Sequence, residues 1–408
     1  MKVAVIGAGA SGLACAVSLV RDSKLNKLPI EVTLFEGKDK PGKKLLVTGN
    51  GRCNLMNEKE GDFFFDSKGF SLFALKHYNV KSNLDFFSSL GLYTRSDDEG
   101  RIYPLSNQAS SVLDALRFAC EGFGVKIITD TIIEKIQLKN NFFLLNGKYN
   151  FDKVVLACGG KASVKNYNGY QLLIQIGHPI TELRPSLTKF EVEEKKTVKQ
   201  LKGIRQKGEF VLYCNNSEVA REKGELLFTD YGLSGIAVMQ LSAFASRCKG
   251  KLTVVADFVN EMSYSELFDA IYKFAKSNVE LKNENLLSGF VPKRLGEIFI
   301  KELGFPLNDK ACKLTDSEIR GIVTKVKKYT FSIYGVRGFD DAQVTAGGAD
   351  TDFFNRKTME SKKVKGLYCI GEMLDVDGLC GGYNLHWAWS SGRLCAESIV
   401  NEMMNRKG

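Results

Sequence analysis

Gly7, Gly9 and Gly12 stand at the spacing that lets a main chain wrap around a pyrophosphate, and Glu36 ends a later strand as a carboxylate placed to accept hydrogen bonds from a ribose. Each glycine has its own mechanical task. Gly7 permits the turn out of a strand, Gly9 lets the pyrophosphate approach the backbone, and Gly12 lets a helix pack closely on a sheet. The chemistry implied is recognition of a dinucleotide, with helix N–H groups and the positive end of the helix dipole meeting the phosphates. Just downstream, Gly37 to Leu55 carries Lys43, Lys44, Asn50, Arg52, Cys53 and Asn54 among several glycines and has no helical or strand period. It reads as a loop whose backbone lies against a ligand, because it directly follows the ribose-binding strand; the alternative is a solvated surface loop.

These groups need elements to hold them. Lys2–Ile6 reads as a strand, Leu13–Val20 as a helix and Ile30–Glu36 as a second strand, with the polar stretch Arg21–Pro29 lengthening the glycine-to-acid spacing a little. Asp62 to Leu90 shows helical spacing that suits packing, and His77 within it reads as structural. Ser110–Phe123 reads as a helix, while Val125–Ile128 and Ile132–Ile136 read as strands before a hairpin through Asn140–Asn141 and Asn146–Gly147. Asp152–Gly160 is a buried-strand pattern ending in paired glycines, similar to the second strand-turn of FAD proteins of the glutathione reductase type. Residues 186–256 alternate in short stretches that suit a small antiparallel sheet or barrel, Ser263–Leu303 is helical by period, and Tyr329–Tyr334 is strand-like. Gly366–Glu372 is a further strand. The glycine turn Gly378–Gly382 then feeds a helix from about Asn384 to Met403, in which Trp387 and Trp389 are expected to pack against the sheet.

The fold expected is α/β: a Rossmann-like dinucleotide domain at 1–185 and 335–408, interrupted at 186–334 by a β-rich substrate domain with a helical subdomain at about 260–318. The apolar and charged fractions, 44% and 25%, are those of a globular protein. No apolar run is long enough for a bilayer and Met1 leads directly into a strand, so a cytoplasmic protein with no membrane partner is expected. The ten cysteines are scattered without a CxxC pair, which argues against a disulfide framework or a metal site. Lys and Arg outnumber Asp and Glu by 57 to 47, and the resulting charge of +10 suits either a polyanion such as RNA or a solvated basic surface.

Six ordered blocks carry a family resemblance: Gly7–Gly12, Thr48–Asn54, Gly100–Pro104, Leu227–Gly235, Val344–Gly348, and Gly371–Gly378 running into Gly381–Leu385. Over nearly its full length the chain resembles the BaiN/RdsA family of NAD(P)/FAD-dependent oxidoreductases, the YhiN-like flavoproteins. The resemblance implies an FAD enzyme in which Gly7, Gly9, Ala10, Ser11, Gly12, Glu36, Lys44, Gly49, Asn54, Ile133, Gly371, Glu372, Tyr383, Asn384 and Leu385 contact the cofactor. Asp230 and Ile236 depart from it, standing where the family more often has histidine and proline, and the loop from Lys161 to Tyr170 is shorter than usual.

The implied chemistry is reduction of an activated C=C bond by hydride from flavin N5, most specifically of a uridine of 23S ribosomal RNA to dihydrouridine. The alternatives are a small-molecule enone reductase of the steroid or bile-acid type, an amine oxidase, or a non-catalytic flavin-bound RNA-binding factor. NAD(P)H is expected as a transient reductant, since no second GxGxxG is present. The protein must supply orientation and a proton donor. Cys53, beside Arg52, is the candidate donor provided its thiol titrates near its free value; otherwise it packs under the flavin. His386 is the second candidate.

Overall fold

In the computed structural model the chain is described at residues 1–59, 61, 63–140, 142–162 and 169–406. Asp62, Asn141 and residues 163–168, the centre of the shortened Lys161–Tyr170 loop, lie outside them. In chain order the elements that matter are β1 (Lys2–Ile6), α1 (Ala10–Leu25), β2 (Glu31–Phe35), α2 (Ala109–Phe123), β3 (Lys126–Ile128) and β4 (Lys153–Leu156). Then follow β5 (Phe190–Val192), α3 (Lys195–Gln200), β6 (Arg205–Cys214), β7 (Ser217–Phe228), β8 (Gly232–Ser234), α4 (Ile236–Ala245), β9 (Leu252–Asp257), α5 (Tyr264–Ser277), α6 (Lys293–Glu302), α7 (Asp316–Lys327) and β10 (Tyr329–Val336). The chain closes with β11 (Leu367–Cys369) and α8 (Tyr383–Asn405).

Met1–Arg184 and Val344–Gly408 together form one compact unit, and Pro185–Gln343 form a second. The first is built on a parallel sheet of order β11-β4-β1-β2-β3. Its inner strands read as near-continuous apolar runs because both faces are covered. α1 is buried from Ser11 to Val20 rather than along one stripe, since α8 lies against it. A side chain at Gly392 of α8 would sit 2.5 Å from the carbonyl oxygen of Ser11, so the two helices meet at backbone distance.

The second unit is a closed barrel of order β5-β8-β7-β6-β9-β10 around Phe210, Phe228, Val254, Ala256 and Phe331. β6 and β7 are joined at Asn215 and Asn216, both at positive φ, the conformation a tight hairpin turn demands and asparagine tolerates. α5 and α7 each begin with a reciprocal cap, Ser263 with Glu266 and Thr315 with Glu318, in which hydroxyl and carboxylate satisfy each other's backbone donors.

Several expected elements are placed differently. Ile132–Ile136 is not a strand; pairing begins only at Ile136 and runs to Lys139. The helical reading of Asp62–Leu90 resolves into a short strand, Phe64–Asp66, and two helices, Leu72–His77 and Val80–Ser89. Ser263–Leu303 divides into α5 and α6, with Pro292 at the start of the second, where a missing N–H costs nothing. The helical segments extend to Lys327, beyond the expected 318. α4 was hidden inside the β-like stretch because it is apolar almost all round and shows no period.

Candidate functional site

The carboxyl ends of β1, β4 and β11 each finish in glycine, and the three turns converge. Gly7 has a φ of +104°, and a side chain there would meet the carbonyl oxygen of Ala157 at 2.4 Å. A side chain on Gly12 would lie 1.9 Å from the carbonyl oxygen of Gly7, so the first turn of α1 closes against the strand that feeds it. Gly371 has a φ of +66° and lies against the Ser11 side chain. Its N–H donates to Ser391 Oγ at 3.0 Å, and its carbonyl accepts from Trp387 Nε1 at 3.0 Å. Ligands of open parallel sheets bind at this end.

Glu36 sits beside the glycine turn: Oε2 accepts from the Ala8 N–H at 3.2 Å and Oε1 from Lys38 at 2.9 Å. The Gly42 N–H donates to the Ala8 carbonyl at 2.8 Å, which brings the following loop back to the turn. Lys44 at its end pairs with Glu372 at 3.0 Å. The other Glu372 oxygen accepts from the Thr345 N–H at 2.9 Å, and Thr345 Oγ1 accepts from the Ala162 N–H at 2.9 Å. One carboxylate therefore ties three distant stretches of the chain to the same spot.

Leu45–Gly51 forms a tight turn around Asn54. Gly49, at φ +56°, is required there because a side chain would meet the Asn54 N–H nitrogen at 2.8 Å. Gly382, at φ +102°, opens α8, and a side chain on it would meet Met56 backbone at 2.6 Å and Asn54 Oδ1 at 2.7 Å. Asn57 Nδ2 donates to the Gly381 carbonyl at 3.1 Å, so the early loop and the last glycine turn are bound together.

Among the described residues, three observations fit this cradle to a dinucleotide. A side chain on Gly9 would meet nothing within 4 Å, so no protein atom accounts for a glycine at that position. Asn54 Oδ1 is buried without a hydrogen-bond partner. The N-termini of α1 and α8 carry no side-chain cap, leaving first-turn N–H groups for a ligand.

The remaining expected residues fall as follows. Ala10 and Ser11 open α1, and Ile133 is buried in the loop after β3. Tyr383 stacks on Phe63, with ring centroids 4.4 Å apart. The Asn384 side chain is engaged with its own turn, accepting from the Gly378 N–H at 2.8 Å and donating to the Gly378 carbonyl at 2.6 Å. Leu385 is half-buried against the core. His386 Nε2 lies 3.1 Å from the Tyr78 carbonyl; a carbonyl only accepts, so that nitrogen carries its proton and spends it there. Trp387 and Trp389 pack as expected, the second donating to the Leu55 carbonyl at 3.1 Å.

Cys53 does not meet the condition set for a proton donor. It is fully buried, at a φ of +57°, and burial pushes its thiol from an ordinary 9.0 up to about 12, with a Thr48 hydrogen bond opposing only in part. A thiol so shifted is a weak acid at neutral pH, which favours the packing alternative. The Cys53→Ala variant is expected to keep turnover within about threefold, with no new inflection in its pH profile between pH 6 and 9. A drop in kcat of a hundredfold at unchanged flavin content would restore Cys53 as the donor. Because the folded thiol holds its proton above the unfolded value, its contribution to stability is complete below about pH 9 and is lost as pH rises toward 12.

Thr345, Asn57, Ser391 and Trp387 complete the site without having been singled out for it. Thr345 stands in one of the six blocks, but its partner Glu372 is set only by the fold.

The family described as HI0933-like protein Rossmann domain matches residues 1–398. The chain is 34% identical to the 3-dehydro-bile acid delta(4,6)-reductase of Clostridium scindens, across 98% of this chain and 99% of that one. It is 31% identical to the ribosomal RNA dihydrouridine synthase of Haemophilus influenzae, across 98% of each, and 30% identical to that of Escherichia coli, across 97% of each.

Proposed function

The chain belongs to the HI0933-like family, whose members here are oxidoreductases, and from that premise we propose an FAD-dependent enzyme that reduces an activated C=C bond, its substrate a uridine of ribosomal RNA that becomes dihydrouridine. The observation that carries the cofactor is the open space at Gly9, beside the uncapped start of α1, which the protein's own atoms do not fill. Bound flavin would supply a hydride to the carbon β to a carbonyl. In this reading Glu36 holds a ribose, the backbone from Ala8 to Ser11 meets the pyrophosphate, and Lys44, paired with Glu372, sets the polar wall beside it. The uncapped start of α8 faces growing negative charge, worth about 0.3 to 2 kcal/mol. A reduced nicotinamide as transient electron donor and a cytoplasmic setting belong to the same proposal.

Among the described residues no helix is long and apolar enough to cross a membrane. Ribosomal RNA from cells lacking the gene is expected to lose one dihydrouridine, measured by nucleoside mass spectrometry after digestion. Unchanged dihydrouridine removes the RNA reading. The 34% identity to a bile-acid reductase favours a second substrate class, a conjugated enone, and rapid turnover of a steroid enone by purified protein without RNA would establish it.

A further inference from the structure

The second unit carries a basic face that the cradle does not use. α3 is pinned to α6 at two points: the Arg294 guanidinium donates to the Gln200 carbonyl, and Thr197 Oγ1 donates to Glu302 at 2.9 Å. Lys195, Lys196, Lys199, Lys293 and Arg294 are all exposed on these elements. Among the described residues none of the five is in an ion pair. The carboxylates nearest them have their closest partners elsewhere, although Asp230 also feels the charge of Lys199. Glu302 takes Thr197, Tyr329 and Lys325; Asp230 takes Lys202 at 2.7 Å; Glu194 accepts from the Ser332 N–H at 2.9 Å. Among the described residues, Glu193 just before α3 and Glu297 on α6 have no ion-pair partner.

An aromatic ring completes the face. Tyr334 of β10 is 51% exposed, and the Lys195 ammonium lies 5.1 Å from its centroid. Unpaired cations beside an exposed ring suit a flexible polyanion with flat groups, since phosphates find charge and a base finds a stacking surface. The other basic run, Lys325–Lys328, differs. Lys325 is held by Glu302 at 2.8 Å, and Lys327 by Asp257 at 2.7 Å and by the Val259 carbonyl at 2.9 Å. Those charges serve the fold.

We propose that the face formed by α3, the first turn of α6 and Tyr334 docks single-stranded RNA, an inference that rests on ribosomal RNA being the substrate. The test uses the full-length flavin-loaded protein and a fluorescent single-stranded oligoribonucleotide of mixed sequence, titrated at several salt concentrations. Lys196→Glu, Lys199→Glu and Lys293→Glu together are expected to weaken binding at least tenfold. The slope of log affinity against log salt should fall by about 2, at roughly 0.7 per lost phosphate contact. Tyr334→Ala is expected to weaken binding severalfold with the slope unchanged. Flavin content and melting temperature should stay at wild-type values in both.

The matched control reverses exposed lysines elsewhere, Lys126, Lys139 and Lys148. Equal weakening by the control, wild-type affinity in the triple variant, or equal affinity of the wild type for polyglutamate each overturns the surface. If the triple variant binds RNA normally while the gene still produces dihydrouridine in cells, the surface is wrong and the substrate stands. If the wild type neither binds RNA nor forms dihydrouridine, both fall.

Discussion

Replacing Gly12 by alanine is expected to give a colourless protein that no longer retains flavin. The added carbon would start 1.9 Å from the Gly7 carbonyl oxygen and 3.1 Å from its carbon, both of them backbone atoms, so no side chain can swing aside. Relief requires moving the start of α1 away from β1, which breaks the turn that faces the phosphates. Overpacking of this kind costs about 1 to 3 kcal/mol when a core can adjust, and a backbone clash sits at the upper end or beyond it. Flavin affinity should fall at least a hundredfold, read from absorbance near the flavin band and from equilibrium dialysis.

Gly9→Ala provides the contrast. Gly9 has ordinary extended dihedrals, φ −83° and ψ −164°, and open space around its missing side chain. Its melting temperature should match wild type while flavin binding weakens about tenfold or more, because the methyl group would meet the ligand alone. Normal flavin affinity in Gly9→Ala would mean that the pyrophosphate does not pass there.

The second large effect is expected at Trp387. It is 1% exposed, packs edge-on against Phe70 at 6.3 Å, and donates Nε1–H to the Gly371 carbonyl. Trp387→Ala should cost about 3 to 5 kcal/mol in urea unfolding, the range for buried tryptophan truncation. It should also loosen the Gly371 turn, so flavin dissociation should quicken at the same time. Trp387→Phe keeps most of the ring and loses the donor, and should cost about 1 to 3 kcal/mol, the penalty of an unsatisfied buried group. If Trp387→Ala unfolds within 1 kcal/mol of wild type, α8 is held by something other than its tryptophans.

Sequence and fold agree most closely where one segment carries its own geometry. β1, α1 and β2 are legible because glycine spacing, apolar runs and the terminal acid all lie within a single stretch and all serve one turn. The alternation in β6 and β7 reveals the barrel for the same reason. What could not be read depends on distant partners. The Lys44–Glu372–Thr345 cluster joins residues hundreds of positions apart. The state of Cys53 depends on how completely other elements bury it, which no local pattern encodes. Ile132–Ile136 has the composition of a strand, yet pairing starts only at its last residue. Likewise Lys195–Lys196 and Lys325–Lys328 look alike as text, and only the carboxylates brought beside them by folding tell them apart.

The interruption of the parallel sheet has a kinetic consequence. During translation β1, β2, β3 and β4 leave the ribosome early, but β11 and α8 come last, after the whole barrel has been made. Until then β4 is an open edge of buried-type residues and α1 lacks the helix that will cover it. The barrel can fold on its own contacts while its host remains half-built and sticky. Closure of the host thus waits until β11 and α8 have emerged and has a long chain loop to bring together, and nascent chains stalled before Leu367 should be the aggregation-prone species.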